Sequence, residues 1–241
     1  MEAFLQLIDP VLRFSFRLHD MATGFLVGHM RGVKVALLSV AHLSLFGLMF
    51  PELRKDFGNL AAIVLIGIMF LSPLSRIFRM RLLLQMMGLR RQFGILMGYL
   101  ATVHAAGYFI DPIWIDRFIM SRISQGFFAL DPMIVFGIVA YVLALPLLLT
   151  SNAFSLRALG GTRWKRKQRI AYVLFALAIL HRFTVKGMTA FALAQAALLI
   201  GAYAFAKLLA RKNFLPPLER VIVLVAGRYG SWRSGQGMIS A

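Results

Sequence analysis

Two histidines, His104 and His181, lie inside long apolar runs, each at a similar distance from a basic cluster. His104 lies 13 residues after Arg91, and His181 lies 12 residues after Arg169. If both runs are helices that enter a membrane from the basic side, both imidazoles lie at a depth of roughly 18–20 Å, at about 1.5 Å per residue. Two imidazoles at one depth on parallel helices can ligate one flat, iron-bearing cofactor between them.

The surroundings of the two histidines are compatible with ligation, but a hydrogen-bonded core role stays open for each. Ala101, His104 and Tyr108 fall on one helical face, and the small side chain of Ala101 leaves room for a porphyrin plane. Small residues also serve close helix packing in membranes. Arg182 follows His181 and is a candidate partner for haem propionates, although it can equally be a cation that extends to the interface.

The composition is that of an integral membrane protein, because 60% of the 241 residues are hydrophobic and the mean hydropathy is +0.77. The chain has no cysteine, which excludes disulfides, thiolate ligation of iron and covalent attachment of haem. The net charge of +18 flanks the apolar runs. This placement favours contact with membrane lipid and the positive-inside rule over a nucleic-acid partner.

The hydropathy pattern predicts an all-α membrane protein with six transmembrane helices in a bundle and an N-terminal amphipathic helix. Residues 1–32 are predicted to be an interfacial lead-in, 33–210 the six-helix domain, and 211–241 a cytoplasmic tail. The six predicted spans lie at about 33–50, 60–77, 93–110, 133–150, 170–185 and 189–209.

The distribution of lysine and arginine predicts the orientation of these spans. Only six of the 27 basic residues fall on one side of the predicted membrane, and the other 21 fall on the side of the 75–92 and 151–169 loops. The positive-inside rule therefore places both loops and both termini in the cytoplasm. The 111–131 loop faces outward, and its aromatic residues predict that it lies on the membrane surface.

Other kinds of site find little support in the sequence. All nine acidic residues lie outside the predicted spans, which argues against a di-metal carboxylate site and against a proton or cation path lined by acids. We find no Ser-His-Asp grouping, no nucleotide-binding motif and no internal repeat. His42 is a third histidine inside a span, for which a core role is favoured over contact with a second cofactor or a quinone.

Four segments of the chain match a known pattern. They are SPLSRIF at 72–78, LRRQFGILMGYLATVH at 89–104, LLLTSNAFSLRALGGTRWKRKQRIAY at 147–172 and ALAILH at 176–181. With these segments the chain resembles the ferric reductase-like transmembrane family, and most of all its haem-binding membrane subunits of bacterial periplasmic methionine sulfoxide reductase systems. The resemblance covers about residues 60–205.

The resemblance implies six helices, a b-type haem and electrons carried outward across the membrane. It assigns His104 and His181 as the ligands of the haem iron. Oxidases of the wider family carry a further histidine 13 or 14 residues from each of these positions and stack two haems, and the methionine sulfoxide reductase subunit has one further histidine, 13 residues before the position of His181. The positions 13 residues before His104 and His181 are Arg91 and Gln168 in this chain. One haem b is therefore expected rather than two.

The function expected from this resemblance is transmembrane electron transfer by a subunit of an oxidoreductase system. Electrons would come from a cytoplasmic flavin reductase carrying FMN, or from a quinone, and would pass to a periplasmic acceptor such as a reductase. Direct reduction of ferric iron is an alternative of the same class. A haem-free membrane protein with a structural or transport role is an alternative of a different class.

Overall fold

The structure is a computed structural model that describes residues 2–126, 130–185 and 187–212, and nearly all of that chain is helical. Short 3₁₀ turns at Ser44–Met49 and Pro51–Leu53 follow the first helix, and a π turn lies at Asp116–Met120. The α-helices are α1 Glu2–Leu43, α2 Arg54–Phe78, α3 Arg81–Met87, α4 Arg90–Phe109, α5 Pro112–Ile115, α6 Ser121–Ile123, α7 Pro132–Leu149, α8 Ala153–Gln168, α9 Ile170–Thr184 and α10 Ala190–Lys212.

Several helices are long and apolar enough to cross a membrane, so the chain is a multi-pass membrane protein. Four qualify singly, and a fifth does if α4 and the bent segment after it form one span. The predicted count of six is not reached by length and composition, because α9 has only 15 residues and a length of about 22 Å. The four are Arg17–Met49, Pro51–Phe78, Pro132–Leu149 and Ala190–Arg211.

The N-terminal lead-in predicted at residues 1–32 is continuous with the first span. Helix α1 runs from Glu2 to Leu43 and is interrupted only at His29, whose backbone angles are not helical (φ −119°, ψ 18°). The apolar span already begins at Arg17. Most of the predicted tail, residues 213–241, lies outside the described residues.

The chain divides into two compact units, each formed by segments from distant parts of the sequence. The first unit contains α3 and the adjoining ends of other helices. Between α2 and α3 the chain passes through Arg79, which has a positive φ of 50°. The units are Met1–Met30, Phe70–Gly88 and Phe205–Ala241 for the first, and Arg31–Met69 and Leu89–Ala204 for the second.

The second unit contains both histidines, and its helices α2, α4, α7 and α9 enclose a cavity. Helix α4 ends at Asp111-Pro112, where proline supplies no backbone N–H and the Asp111 carboxylate accepts hydrogen bonds from the N–H groups of Ile113 and Trp114, both at 3.1 Å. The chain there bends by 77°. The bend carries Trp114 against Tyr108 of α4, with ring centroids 5.0 Å apart.

We expect the loop that contains α8 to lie in the cytoplasm, because this helix and the residue after it carry six of the chain's basic residues. Reporter fusions after Gly160 and after Asn213 should both give the cytoplasmic signal, and a fusion after Arg122 should give the periplasmic signal. A periplasmic signal from the fusion after Gly160 would show that the predicted orientation of the spans is inverted.

Candidate functional site

The cavity in the second unit has a volume of about 260 Å³ and is lined mainly by apolar and small side chains. Both histidines that the sequence singled out line it, and so do Ala101 and Arg182. Alanine and glycine recur along its walls, so few large side chains project between the facing helices. The small wall residues are Gly58, Ala61, Ala62, Ala101, Ala105, Gly137, Ala140, Ala144 and Ala178.

His104 of α4 is oriented by the first turn of α2. Its Nδ1 lies 2.8 Å from the backbone oxygen of Arg54. Its ring packs against Gly58, one turn further along α2, where an added Cβ would collide with the imidazole. Glycine at this position therefore makes the space that the imidazole occupies.

His181 of α9 is oriented in the same manner by the first turn of α7. Its Nδ1 lies 2.9 Å from the backbone oxygen of Met133. An added Cβ at Gly137 would lie 2.8 Å from both Cε1 and Nδ1 of the imidazole. The start of α7 is set by Asp131, whose carboxylate accepts a 2.8 Å hydrogen bond from the N–H of Met133.

His104 and His181 are positioned by the same structural arrangement. In each, a helix start supplies a carbonyl at one position and a glycine four positions later, and a later helix supplies the imidazole. The motif F-G-x-x-A marks both, at 57–61 and at 136–140. The shared motif is only five residues long, so it is a local similarity between two helix starts and not a repeated structural unit. This motif is the signal by which Gly58 and Gly137 could have been found.

The hydrogen bonds to the carbonyls decide which ring nitrogen can bind a metal. A backbone oxygen only accepts, so Nδ1 carries the proton in both rings and Nε2 keeps its lone pair. The ring centroids of His104 and His181 are 6.1 Å apart, and the ring planes are 67° apart. A metal bound at about 2.0 Å from each imidazole nitrogen separates the two centroids by roughly 6 Å. The two imidazoles are therefore far enough apart that both could bind one metal ion between them.

The donor set fits haem better than a bare metal ion. Among the residues that the structure describes, no group of three or more His, Asp or Glu side chains could hold a metal ion. Two imidazoles complete the coordination of iron only if the cofactor supplies the other four ligands, as a porphyrin does. Arg182 and Lys55 both line the cavity and are exposed, which suits them to carboxylates at its mouth. The sequence analysis did not single out Lys55.

Arg54 connects the start of α2 to the end of α4. Its guanidinium forms a 2.8 Å ion pair with Asp111, donates to the oxygen of Gly107 at 3.2 Å and lies 4.5 Å from the ring centroid of Tyr108. The hydrogen bond from Arg54 lowers the pKa of the Asp111 carboxyl, which lies between the two helices of the bend. These contacts hold in place the backbone oxygen that orients His104.

The two positions at which the wider family carries further histidines are occupied by other contacts. Arg91 donates from Nε to the backbone oxygen of Ser151 at 2.9 Å. Gln168 lies 3.4 Å from the hydroxyl of Thr150. Both side chains thus bind the turn that ends α7.

His42 is not a core residue, so the role that we favoured from the sequence was wrong. Its imidazole is exposed, and its Nδ1 lies 2.7 Å from the oxygen of Leu38 on the same helix. Its Nε2 lies 3.2 Å from the hydroxyl of Tyr99 on α4. It does not line the cavity that holds the other two histidines.

A family model described as ferric reductase like transmembrane component matches residues 56–179, from the first turn of α2 to near the end of α9. The chain belongs to this family. The match contains Gly58, His104 and Gly137 and ends two residues before His181.

Similar proteins with curated names include two heme-binding subunits and one magnetosome protein. The protein-methionine-sulfoxide reductase heme-binding subunit MsrQ of Herminiimonas arsenicoxydans is 30% identical over 158 residues, which cover 63% of this chain and 69% of that protein. MsrQ of Ralstonia nicotianae is 32% identical over 127 residues, which cover 53% of this chain and 55% of that protein. The magnetosome protein MamZ of Magnetospirillum gryphiswaldense is 33% identical over 96 residues, which cover 38% of this chain and 14% of that protein. No solved structure matches the chain.

Proposed function

We propose that the chain holds one b-type haem between His104 and His181 and carries electrons across the bacterial inner membrane. The observation that supports this most directly is the pair of imidazoles 6.1 Å apart, each with Nδ1 hydrogen-bonded to a backbone oxygen. The haem supplies the one-electron chemistry, and the chain supplies ligation, orientation and an apolar surrounding. Lys55 and Arg182 hold the propionates at the cavity mouth, and Ala101 leaves space for the ring.

The proposed direction of transfer is outward, from a cytoplasmic flavin or a quinone to a periplasmic acceptor. The acceptor we propose is a protein-methionine-sulfoxide reductase, because two of the relatives are named as heme-binding subunits of that enzyme. In the proposed topology both termini are cytoplasmic, and α4 and α9 serve as spans in addition to the four longest helices. The short α9 spans by standing nearly upright beside α7.

Direct reduction of ferric iron is the second candidate, and the description of the matching family favours it. It needs the same haem and the same ligands, and differs only in the acceptor at the outer face. Methionine sulfoxide reduction by a co-expressed periplasmic reductase, assayed against Fe(III)-citrate reduction in the same membranes, separates the two.

We expect the purified protein to contain close to one non-covalent haem b per chain. The physical reason is that Arg91 and Gln168, at the positions of the further family histidines, are engaged with the turn after α7, and neither is an iron ligand. The pyridine haemochrome assay, normalised to protein by amino-acid analysis, measures the ratio. A ratio near two would contradict the single site, and no haem after haem-replete expression would favour the haem-free alternative.

A further inference from the structure

An ion pair of fixed geometry lies just beyond the C-terminal end of α4, the helix that carries His104. Nη1 of Arg54 lies 2.8 Å from Oδ2 of Asp111, and only 24% and 27% of the two side chains are exposed. The other carboxylate oxygen of Asp111 accepts from the N–H groups of Ile113 and Trp114 at the start of α5. Both charges are therefore held in place and only partly screened by solvent.

This ion pair is connected to the imidazole of His104 in two ways. The backbone oxygen of Arg54 accepts the hydrogen bond from Nδ1 of His104 at 2.8 Å. The guanidinium of Arg54 lies 4.5 Å from the ring centroid of Tyr108, and that ring stands nearly perpendicular to the imidazole, with centroids 5.2 Å apart. A single aromatic ring thus separates the cation from the candidate iron ligand.

A fixed charge close to an iron ligand changes the relative stability of the two oxidation states of the iron. Ferric iron carries one more positive charge than ferrous iron, so a nearby cation raises the reduction potential and a nearby anion lowers it. The effect is larger beside an apolar cavity than in water, because the effective dielectric constant there is lower. In an ion pair the two effects oppose each other.

We propose that Arg54 and Asp111 are positioning residues that set the reduction potential of the haem bound through His104. The proposal rests on the haem site proposed above. Arg54 joins α2 to the end of α4 and so fixes the oxygen that orients the imidazole. Asp111 cancels the charge that this contact brings to the site. Outward transfer moves one electron and breaks no bond, so this potential sets its driving force.

Substitutions can remove each charge without removing the group that orients the ligand. Arg54→Gln removes the cation, but every residue at position 54 keeps the backbone oxygen that accepts from His104. Asp111→Asn removes the anion, and an asparagine side chain can still cap the start of α5. Each single variant leaves one uncompensated charge, and the two charges have opposite signs. The double variant is neutral at this place, like the wild type.

The test is a spectroelectrochemical titration of the haem-loaded protein in lipid nanodiscs at pH 7. We expect Arg54→Gln to lower the reduction potential and Asp111→Asn to raise it. Each shift should equal about a tenfold change in the ferrous-to-ferric ratio at fixed potential, or about 59 mV for one electron. The double variant should return close to the wild-type potential. Asp116→Asn and Arg117→Gln, matched charge removals at exposed positions, should leave it unchanged because solvent screens them.

The potentials and the haem content together distinguish this proposal from the haem proposal. Wild-type potentials in both single variants, or shifts of both in one direction, overturn the role of the ion pair and leave the haem site standing. Equal shifts in Asp116→Asn or Arg117→Gln overturn it too, since the effect is then one of general surface charge.

A variant that fails to hold haem does not remove the test. If Arg54→Gln loses its haem, Asp111→Asn decides alone, and a potential at or below that of the wild type overturns the proposal. Absence of haem from the wild type overturns the haem proposal itself, and the role of the ion pair with it.

Discussion

Replacing either His104 or His181 by alanine will remove the low-spin haem spectrum of the protein. Each imidazole is one of only two protein ligands in the proposed site, and the ring centroids are 6.1 Å apart, a spacing that would accept an iron atom between them. Loss of one leaves five-coordinate, high-spin iron or an empty cavity. Absorption and electron paramagnetic resonance spectra of purified protein measure the change, and we expect more than nine-tenths of the low-spin signal to disappear.

The controls for this prediction separate ligation from folding. Each variant should insert in the membrane at the wild-type level, because one residue contributes little to the hydropathy of a span. Added imidazole should restore part of the low-spin signal, since alanine leaves the space of the lost ring. His42→Ala should keep the full spectrum. Retention of low-spin haem in His104→Ala, together with its loss in His42→Ala, would refute the assignment.

Adding one methyl group at Gly58 or at Gly137 will displace the ligand that packs on it. The added Cβ at Gly137 lies 2.8 Å from two atoms of the His181 ring, and at Gly58 it collides with the His104 ring. A helical Gly→Ala change by itself stabilises by about 0.5–1 kcal/mol, so reduced helix stability cannot explain a loss. We expect each variant to lose more than half of its low-spin haem, measured as haem per chain and as spin state.

Gly67→Ala is the matched control for this pair, because Gly67 lies on α2 like Gly58 and has no atom within 4 Å of an added Cβ. It should bind haem at the wild-type level. If Gly58→Ala and Gly137→Ala also bind haem fully with a low-spin spectrum, the two glycines do not position the imidazoles. The double variant should lose the haem almost completely, since both ligands are then displaced.

The predicted positions of the helices agree with the structure because hydropathy is a property of local sequence. The predicted spans at 133–150 and 170–185 fall within one residue of α7 and α9. Helix α9 was nevertheless too short to count as a span by length. The predicted boundary between the lead-in and the first span, after residue 32, lies three residues from His29, where α1 is kinked and departs from helical angles.

The sequence by itself determined the helical class and the family. It also predicted an equal depth for His104 and His181, because the distance along a helix follows from residue number. It did not determine which way a side chain points about the helix axis, since that depends on the neighbouring helices. The structure therefore decided that His42 faces outward to Tyr99 and that the other two histidines face one cavity. The partners that orient them are backbone oxygens 48 and 50 residues away. Every residue type offers a backbone oxygen, so only the packing of α2 and α7 shows which ones are used.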